Sequence, residues 1–449
     1  MGQRIGVVRA ALVAGAAVLA LLLLLAMCGG QGKGRDGEGA GGDNARKTGG
    51  TASAGPRGTA PAAPPRLAVP AAYDTGRGWR ITGGSDQYAI AQEPALVAHV
   101  ERSGAENFLV RAYDARTGRQ AWAGRPWRPL SGSAHFPRLL SLQDGDDRFF
   151  VTWSYGKVSG PDALSTGDSV VALDVYDARD GAQRHVDLPW QGVPVVSATG
   201  PDVLVTDGAA TATTVDPRTG RASALTPGDL APPKGCRNCR SKTEVRGLTA
   251  KGLLVSGSTE FWVRGGWYSA KVAPRDTAPA SGVPTSLTAS GQVLAKWQKK
   301  ERDGWERWAV HDAATGKVLA TADCRRPAIE PGAHPQAVTS PSGDYLVAGN
   351  LAFDLRQPAP KGARTGHCLQ EREGVKPVTL VSVTDDGTAY GTTGASAAGG
   401  TPVQLPLATA TPAALPDTTL LPLAEVANIA LFRTTDRQDR PQLFGHPRR

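Results

Sequence analysis

One phrase recurs along the chain and constrains its fold more than any other feature. It reads YDARTG at Tyr113 to Gly118, YDARDG at Tyr176 to Gly181, VDPRTG at Val215 to Gly220 and HDAATG at His311 to Gly316. Each copy follows apolar or alternating residues (FLVRAYD, VVALDVYD, TTVD, RWAVHD) and precedes a second short run such as RQAWAG or KVLATADC. The pattern predicts strand, turn, strand. Turn chemistry accounts for the conserved letters: an Asp accepts backbone hydrogen bonds at the start of a turn, and a Gly takes the positive φ that a tight hairpin or bulge demands. Asp114, Asp177, Asp216 and Asp312, with Gly118, Gly181, Gly220 and Gly316, are therefore read as structural turn residues.

Successive copies start about 63, 39 and 96 residues apart, the last interval spanning about two units, so a degenerate copy is expected inside it. WVRGGWYSAKVAP, Trp262 to Pro274, fills that gap, and further units follow near Pro341 to Leu355 and Val378 to Thr393. A unit of about 35 to 55 residues fits one propeller blade of about four strands. The expected fold is all-β: a β-propeller of about seven four-stranded blades, eight being the alternative count, over residues 71–449. A strand near Gly78 to Thr82 is expected to close the ring with C-terminal strands near Ile429 to Thr434. The 55 glycines, 34 prolines and two methionines suit a loop-dense β protein better than a helical bundle.

The N-terminus follows different rules. Met1 to Arg9 carry Arg4 and Arg9 and no acid, and the chain then runs apolar from Ala10 to Cys28, including Leu21 to Leu25. About 19 such residues can cross a bilayer as a helix, and the basic end stays inside. Residues 1–28 are thus expected to be a hydrophobic helix serving as signal or membrane anchor. Leu25, Ala26, Met27 and Cys28 resemble the box of a bacterial lipoprotein signal, with Met27 in place of its small residue, which makes Cys28 a lipidation candidate. An uncleaved anchor is the other reading. Either way the soluble domain lies on the extracytoplasmic side of the cell membrane. Residues 29–70, rich in Gly and then in Pro, hold too few large apolar side chains to bury a core and are expected to be a disordered linker.

The net charge of +9 is spread among interleaved acids and bases, which argues against a nucleic-acid partner and leaves the membrane, a protein or another cell-envelope component.

The phrase D-A-x-T-G-x-x-x-W, complete as Asp114, Ala115, Thr117, Gly118 and Trp122, resembles the repeats of pyrroloquinoline-quinone-like β-propeller proteins, over roughly residues 75–445. The resemblance implies the propeller fold. Some members of that class are quinone-dependent dehydrogenases, and many are non-catalytic binding or assembly scaffolds. The catalytic members use a disulfide between adjacent cysteines beside the cofactor, with calcium and a carboxylate base, and this chain has no adjacent cysteines. No cofactor is therefore expected. The function expected is a non-catalytic binding or scaffold module, the alternative being a quinone-dependent dehydrogenase-like or other propeller enzyme with its site at the channel mouth.

Four cysteines remain in the folded region: Cys236, Cys239, Cys324 and Cys368. Two disulfides suit an exported chain. The simplest pairing joins Cys236 to Cys239 and Cys324 to Cys368, although three pairings are open. Cys236 and Cys239 also read as a redox pair, since Lys234, Arg237 and Arg240 would favour thiolate, but a loop disulfide is the plainer reading. No histidine stands at zinc-ligand spacing from them, so no metal is expected.

Asp146 with Asp147 and Asp385 with Asp386 suggest paired carboxylates, yet Gly145 and Gly387 beside them mark turns. The tryptophans are expected to pack between blades. Trp262, Trp267, Trp305 and Trp308, near Gly265, Gly266 and Gly304, are the ones to consider for a rim role.

Overall fold

The computed structural model describes residues 66–130, 137–158, 167–236, 239, 243–356, 364–370, 376–394 and 400–449. The expected N-terminal helix, Cys28 and nearly all of the expected linker lie outside them. Among the described residues no helix is long and apolar enough to cross a membrane.

Short alternating runs pair with their neighbours through tight turns, and the result is eight sheets in chain order, the eight blades of a propeller. Blades 1 to 7 span 84–123, 138–189, 195–224, 244–263, 283–325, 338–368 and 378–414. Blade 8 takes strands from both ends of the domain: Ala424–Val426, Ile429–Thr435, Pro441–Pro447 and Trp79–Thr82. The N-terminal strand pairs antiparallel with Pro441–Pro447, setting Trp79 opposite Gly445 and Thr82 opposite Gln442, while Ile429–Thr435 lies one strand further in.

Because side chains alternate across a strand, each blade offers one apolar face to each neighbour. In blade 3, Val203, Val205 and Val215 face blade 2, whereas Leu204 and Ala212 face blade 4. Eight hydrophobic clusters result, one at each blade junction. The junction of blade 8 with blade 1, where Trp79, Leu431 and Leu443 meet Val97 and Ala115, closes the ring.

The ring has eight blades, the alternative count rather than seven. The units read from the repeat fall in blades 1 to 7, and the eighth blade is split between the chain ends. Four strands per blade is not uniform either. Blade 4 has three, because the chain after Phe261–Val263 turns back through a single bridge between Trp262 and Tyr268 into a 3-10 turn at Ser269–Lys271. Blade 5 gains a parallel two-residue strand, Arg364–Thr365. The packed domain also reaches into the expected linker: Leu67 and Val69 pack on a cluster of Tyr73, Tyr390, Phe432 and Phe444, and Leu420 N–H donates to the Ala68 carbonyl at 2.8 Å.

Candidate functional site

The strand order gives the ring two chemically different ends. Within a blade the first strand runs toward the turn that joins it to the second, and the third runs toward the turn that joins it to the fourth. Those turns share one end, here the turn end. The connections from second to third strand and from blade to blade share the other, the loop end.

The recurring phrases occupy the turn end. Asp114 Oδ1 accepts the Thr117 N–H at 2.8 Å, Asp177 Oδ1 that of Arg179 at 2.8 Å, Asp216 Oδ1 that of Arg218 at 2.7 Å and Asp312 Oδ1 that of Thr315 at 2.7 Å. Gly118, Gly181, Gly220 and Gly316 close the same turns with φ of 66°, 75°, 73° and 75°. The paired acids sit at this end as well, and three of the four are spent on structure. Asp147 binds the Arg218 guanidinium at 2.8 Å and Arg179 at 3.2 Å. Asp385 accepts the Ser342 N–H at 2.8 Å, and Asp386 accepts the Thr384 hydroxyl and pairs with Arg448.

The loop end is different. A pocket of about 560 Å³ opens over blade 5, bounded by the start of Val283–Leu287, the end of Gln292–Gln298, Arg246 of blade 4 and the connection carrying Glu330, His334 and Gln336. Its floor holds a buried ion pair: Lys296 is 7 % exposed and Glu306 4 % exposed, with Nζ to Oε1 at 3.3 Å. Glu330 reaches across from the connection to pair with the same ammonium, and Arg326 lies 3.9 Å from Glu306. Trp308 lies under Lys296, 5.9 Å from ring centroid to Nζ, and meets the His334 ring edge-on.

Burial, followed by the charge of Lys296, pushes His334 below the ordinary histidine range, so its imidazole is neutral near pH 7. For Glu330 the burial that raises its pKa is outweighed by the hydrogen bond and charge of Lys296, and the group is held below the ordinary glutamate range. The Ser281 and Thr285 hydroxyls donate to the backbone carbonyls of Ala278 and Leu294 at 2.7 and 3.1 Å.

Among the described residues the large apolar side chains left exposed are Val158, Val193, Val195, Val283 and Ile329, and all five belong to the loop end. Val158 follows the second strand of blade 2, Val193 and Val195 enter blade 3, Val283 starts blade 5 and Ile329 lies in the connection from blade 5 to blade 6. Ile329 is 85 % exposed and Val193 79 % exposed.

Of the four tryptophans considered for a rim role, Trp262 and Trp267 are buried at a blade junction. Trp305 is capped by the Arg302 guanidinium, and Trp308 supports the pocket from beneath. Cys236 and Cys239 form a disulfide in the connection from blade 3 to blade 4, and Cys324 and Cys368 form another that ties the outer strands of blades 5 and 6. The pocket residues Lys296, Glu306, Glu330 and His334 were not picked out by motif. The one signal they leave is a charged residue inside a strand-like run, Lys296 in QVLAKWQ and Glu306 in WERWAVHD.

The residues that line this pocket do not fit a quinone. A flat multi-ring cofactor needs an aromatic platform, and Trp297, the pocket's one lining tryptophan, is 1 % exposed.

No family model and no curated relative matches the chain. Among solved structures it is similar to the β-propeller domain of Myceliophteria thermophila Cps50 (Swd1), at 11 % identity and a TM-score of 0.41, over 82 % of this chain and 98 % of that one. It is also similar to KlAtg21 in its complex with the coiled coil of AgAtg16, at 10 % identity and a TM-score of 0.35, over 81 % and 91 %. The fold assignment rests on the sheet order and ring closure, not on these resemblances.

Proposed function

We propose that the chain is an extracytoplasmic binding propeller, held at a membrane by its N-terminus, that docks a protein partner on its loop end. The observation that carries this reading is the one-sided distribution of exposed apolar side chains, on the same end of the ring as a concave polar pocket. Protein interfaces combine apolar anchors with charged and hydrogen-bonding groups in this way. A lipid surface would call for a contiguous apolar or basic face, and a sugar for an exposed aromatic platform. Export is supported by the basic n-region followed by the apolar run and by two disulfides, which persist in oxidising compartments.

The polar groups of the pocket do not form a catalytic set. Both glutamates are engaged by Lys296, and the two hydroxyls are engaged by backbone carbonyls, so no nucleophile rests against a base.

Photo-crosslinking in cells that naturally carry the protein tests the reading. A photoreactive residue at Val193 or Ile329 is expected to trap one discrete protein, while the same residue at Thr219 or Thr315 on the turn end traps none. Equal or absent crosslinking at both ends would remove the proposal.

A further inference from the structure

Cys236 and Cys239 lie three residues apart on the loop end, and their sulfurs share a buried environment with a carboxylate. Glu260, in the connection between the second and third strands of blade 4, places Oε2 2.9 Å from Cys236 Sγ and 3.9 Å from Cys239 Sγ. Cys236 is 6 % exposed, Cys239 is fully buried, and Glu260 is buried among the blade 3 and blade 4 residues that cover them.

A disulfide sulfur has no proton to donate to a carboxylate, whereas a thiol does. The position of Glu260 therefore suits the reduced pair. Closing a loop this short also removes less entropy from the unfolded chain, about half as much as the 44-residue separation of Cys324 and Cys368. Stability gives a weak reason for this disulfide, and exchange chemistry gives a stronger one.

We propose that Cys236 and Cys239 form a redox-exchangeable pair that reacts with an external dithiol, with Glu260 carrying the proton. The first thiol of the dithiol gives its proton to the Glu260 carboxylate, and its sulfur bonds to Cys236 Sγ as the Cys236–Cys239 bond breaks. The electron pair leaves on Cys239 Sγ, which takes a proton from Glu260. The second thiol then displaces Cys236 from the mixed disulfide, and its proton passes to Cys236. Two electrons and two protons move from the dithiol, which ends oxidised, to the cysteine pair. This inference is independent of the docking reading, although the pair lies on the same end of the ring.

The test uses full-length protein in mild detergent, exposed to dithiothreitol under native conditions, acid-quenched, alkylated and read by peptide mass. Cys236–Cys239 is expected to open under these native conditions, to re-form with oxidised glutathione and to leave the circular dichroism spectrum unchanged. Glu260→Gln is expected to slow the opening by about tenfold or more and to change its pH profile between about 5 and 8 once the thiolate fraction of dithiothreitol is divided out. Glu260→Asp, which keeps the carboxylate but draws it back, gives an intermediate rate and serves if the first variant does not fold. The proposal is overturned if the pair opens only as the domain unfolds, or if both Glu260 variants keep the wild-type rate and profile. It is overturned equally if the reduced protein retains one equivalent of zinc that Cys236→Ser abolishes, since the three groups would then be metal ligands.

Discussion

The indole N–H of Trp122, on the outer strand of blade 1, donates to the carbonyl of Ala178 in blade 2 at 2.9 Å. The ring lies against Gly181 of the same phrase, where an added Cβ would stand 2.7 Å from its Cδ2. Trp79 repeats the arrangement on Ala115 and Gly118, and Trp267 on Ala313 and Gly316. The third phrase has no tryptophan before it. There the Arg184 guanidinium donates to the Pro217 carbonyl at 2.9 Å and its stem covers Gly220. The recurring phrase is thus a turn and a docking seat at once: its Gly is required by the positive φ and by the side chain of the preceding blade.

Trp122→Phe keeps most of the packing but leaves a buried carbonyl without its donor, which costs about 1 to 3 kcal/mol. Trp122→Ala adds a cavity at the blade junction, for a loss of about 3 to 5 kcal/mol. Gly181→Ala is expected to be as damaging as Trp122→Ala, because a new Cβ meets both an unfavourable φ and the indole. Urea unfolding followed by tryptophan fluorescence and circular dichroism ranks the three.

The first half of this device was legible and the second was not. Asp114 and Gly118 announce themselves by turn chemistry, which depends on four or five consecutive residues. The docking residue comes from the preceding blade, so Trp122 and Gly181 belong to different copies, and Arg184 in place of tryptophan leaves no apolar mark. The same physics hid the pocket. Lys296, Glu306 and Glu330 come from two strands and a connection, with 34 residues between the first and the last, and only the folded blade brings them together. Glu260 stands 24 residues from Cys236, beyond any ligand spacing a motif would search. Blade 8 shows in the sequence as two strand-like ends, whereas its register is set by pairing across the whole domain, Trp79–Thr82 against Pro441–Pro447.

The buried charge at the pocket floor predicts an asymmetry. Lys296→Met strips Glu306 of its main partner and is expected to cost about 3 kcal/mol or more. The double variant Lys296→Met with Glu306→Leu recovers most of that loss, since no buried charge is then left unpaired and Glu330, which also loses Lys296, has a side chain 44 % exposed to solvent. A double-mutant cycle by chemical denaturation measures the difference.

His99 and His311 are buried histidines whose protonation is opposed first by desolvation, and each is pushed down to about 4. An unfolded histidine takes its proton near 6.5, so between about 6.5 and 4 the unfolded chain binds more protons than the folded one. Stability contributed by these groups is complete above that window and falls as pH drops through it, by up to about 3 kcal/mol for each. Comparing wild type with His99→Gln at pH 7 and pH 4.5 isolates the effect, because the carboxylates titrate alike in both. The variant is expected to lose less stability on acidification.

The disulfide between Cys324 and Cys368 bridges neighbouring outer strands across a 44-residue separation. On chain-entropy grounds its removal as Cys324→Ser with Cys368→Ser costs about 4 kcal/mol. Removing Cys236 and Cys239 costs about half as much. Thermal melts of the two double variants, compared with wild type under non-reducing conditions, check the order.

The reading that binding is confined to the loop end is tested most directly by the hydrodynamic size of the full-length protein extracted in mild detergent from cells that naturally carry it. Wild type is expected to migrate as a complex larger than its own chain. Val193→Asp with Ile329→Asp reduces it to the size of the single chain with an unchanged melting temperature, and Thr219→Asp with Thr315→Asp leaves the complex intact. A complex that survives the loop-end substitutions, or a wild-type protein that migrates alone, contradicts the account.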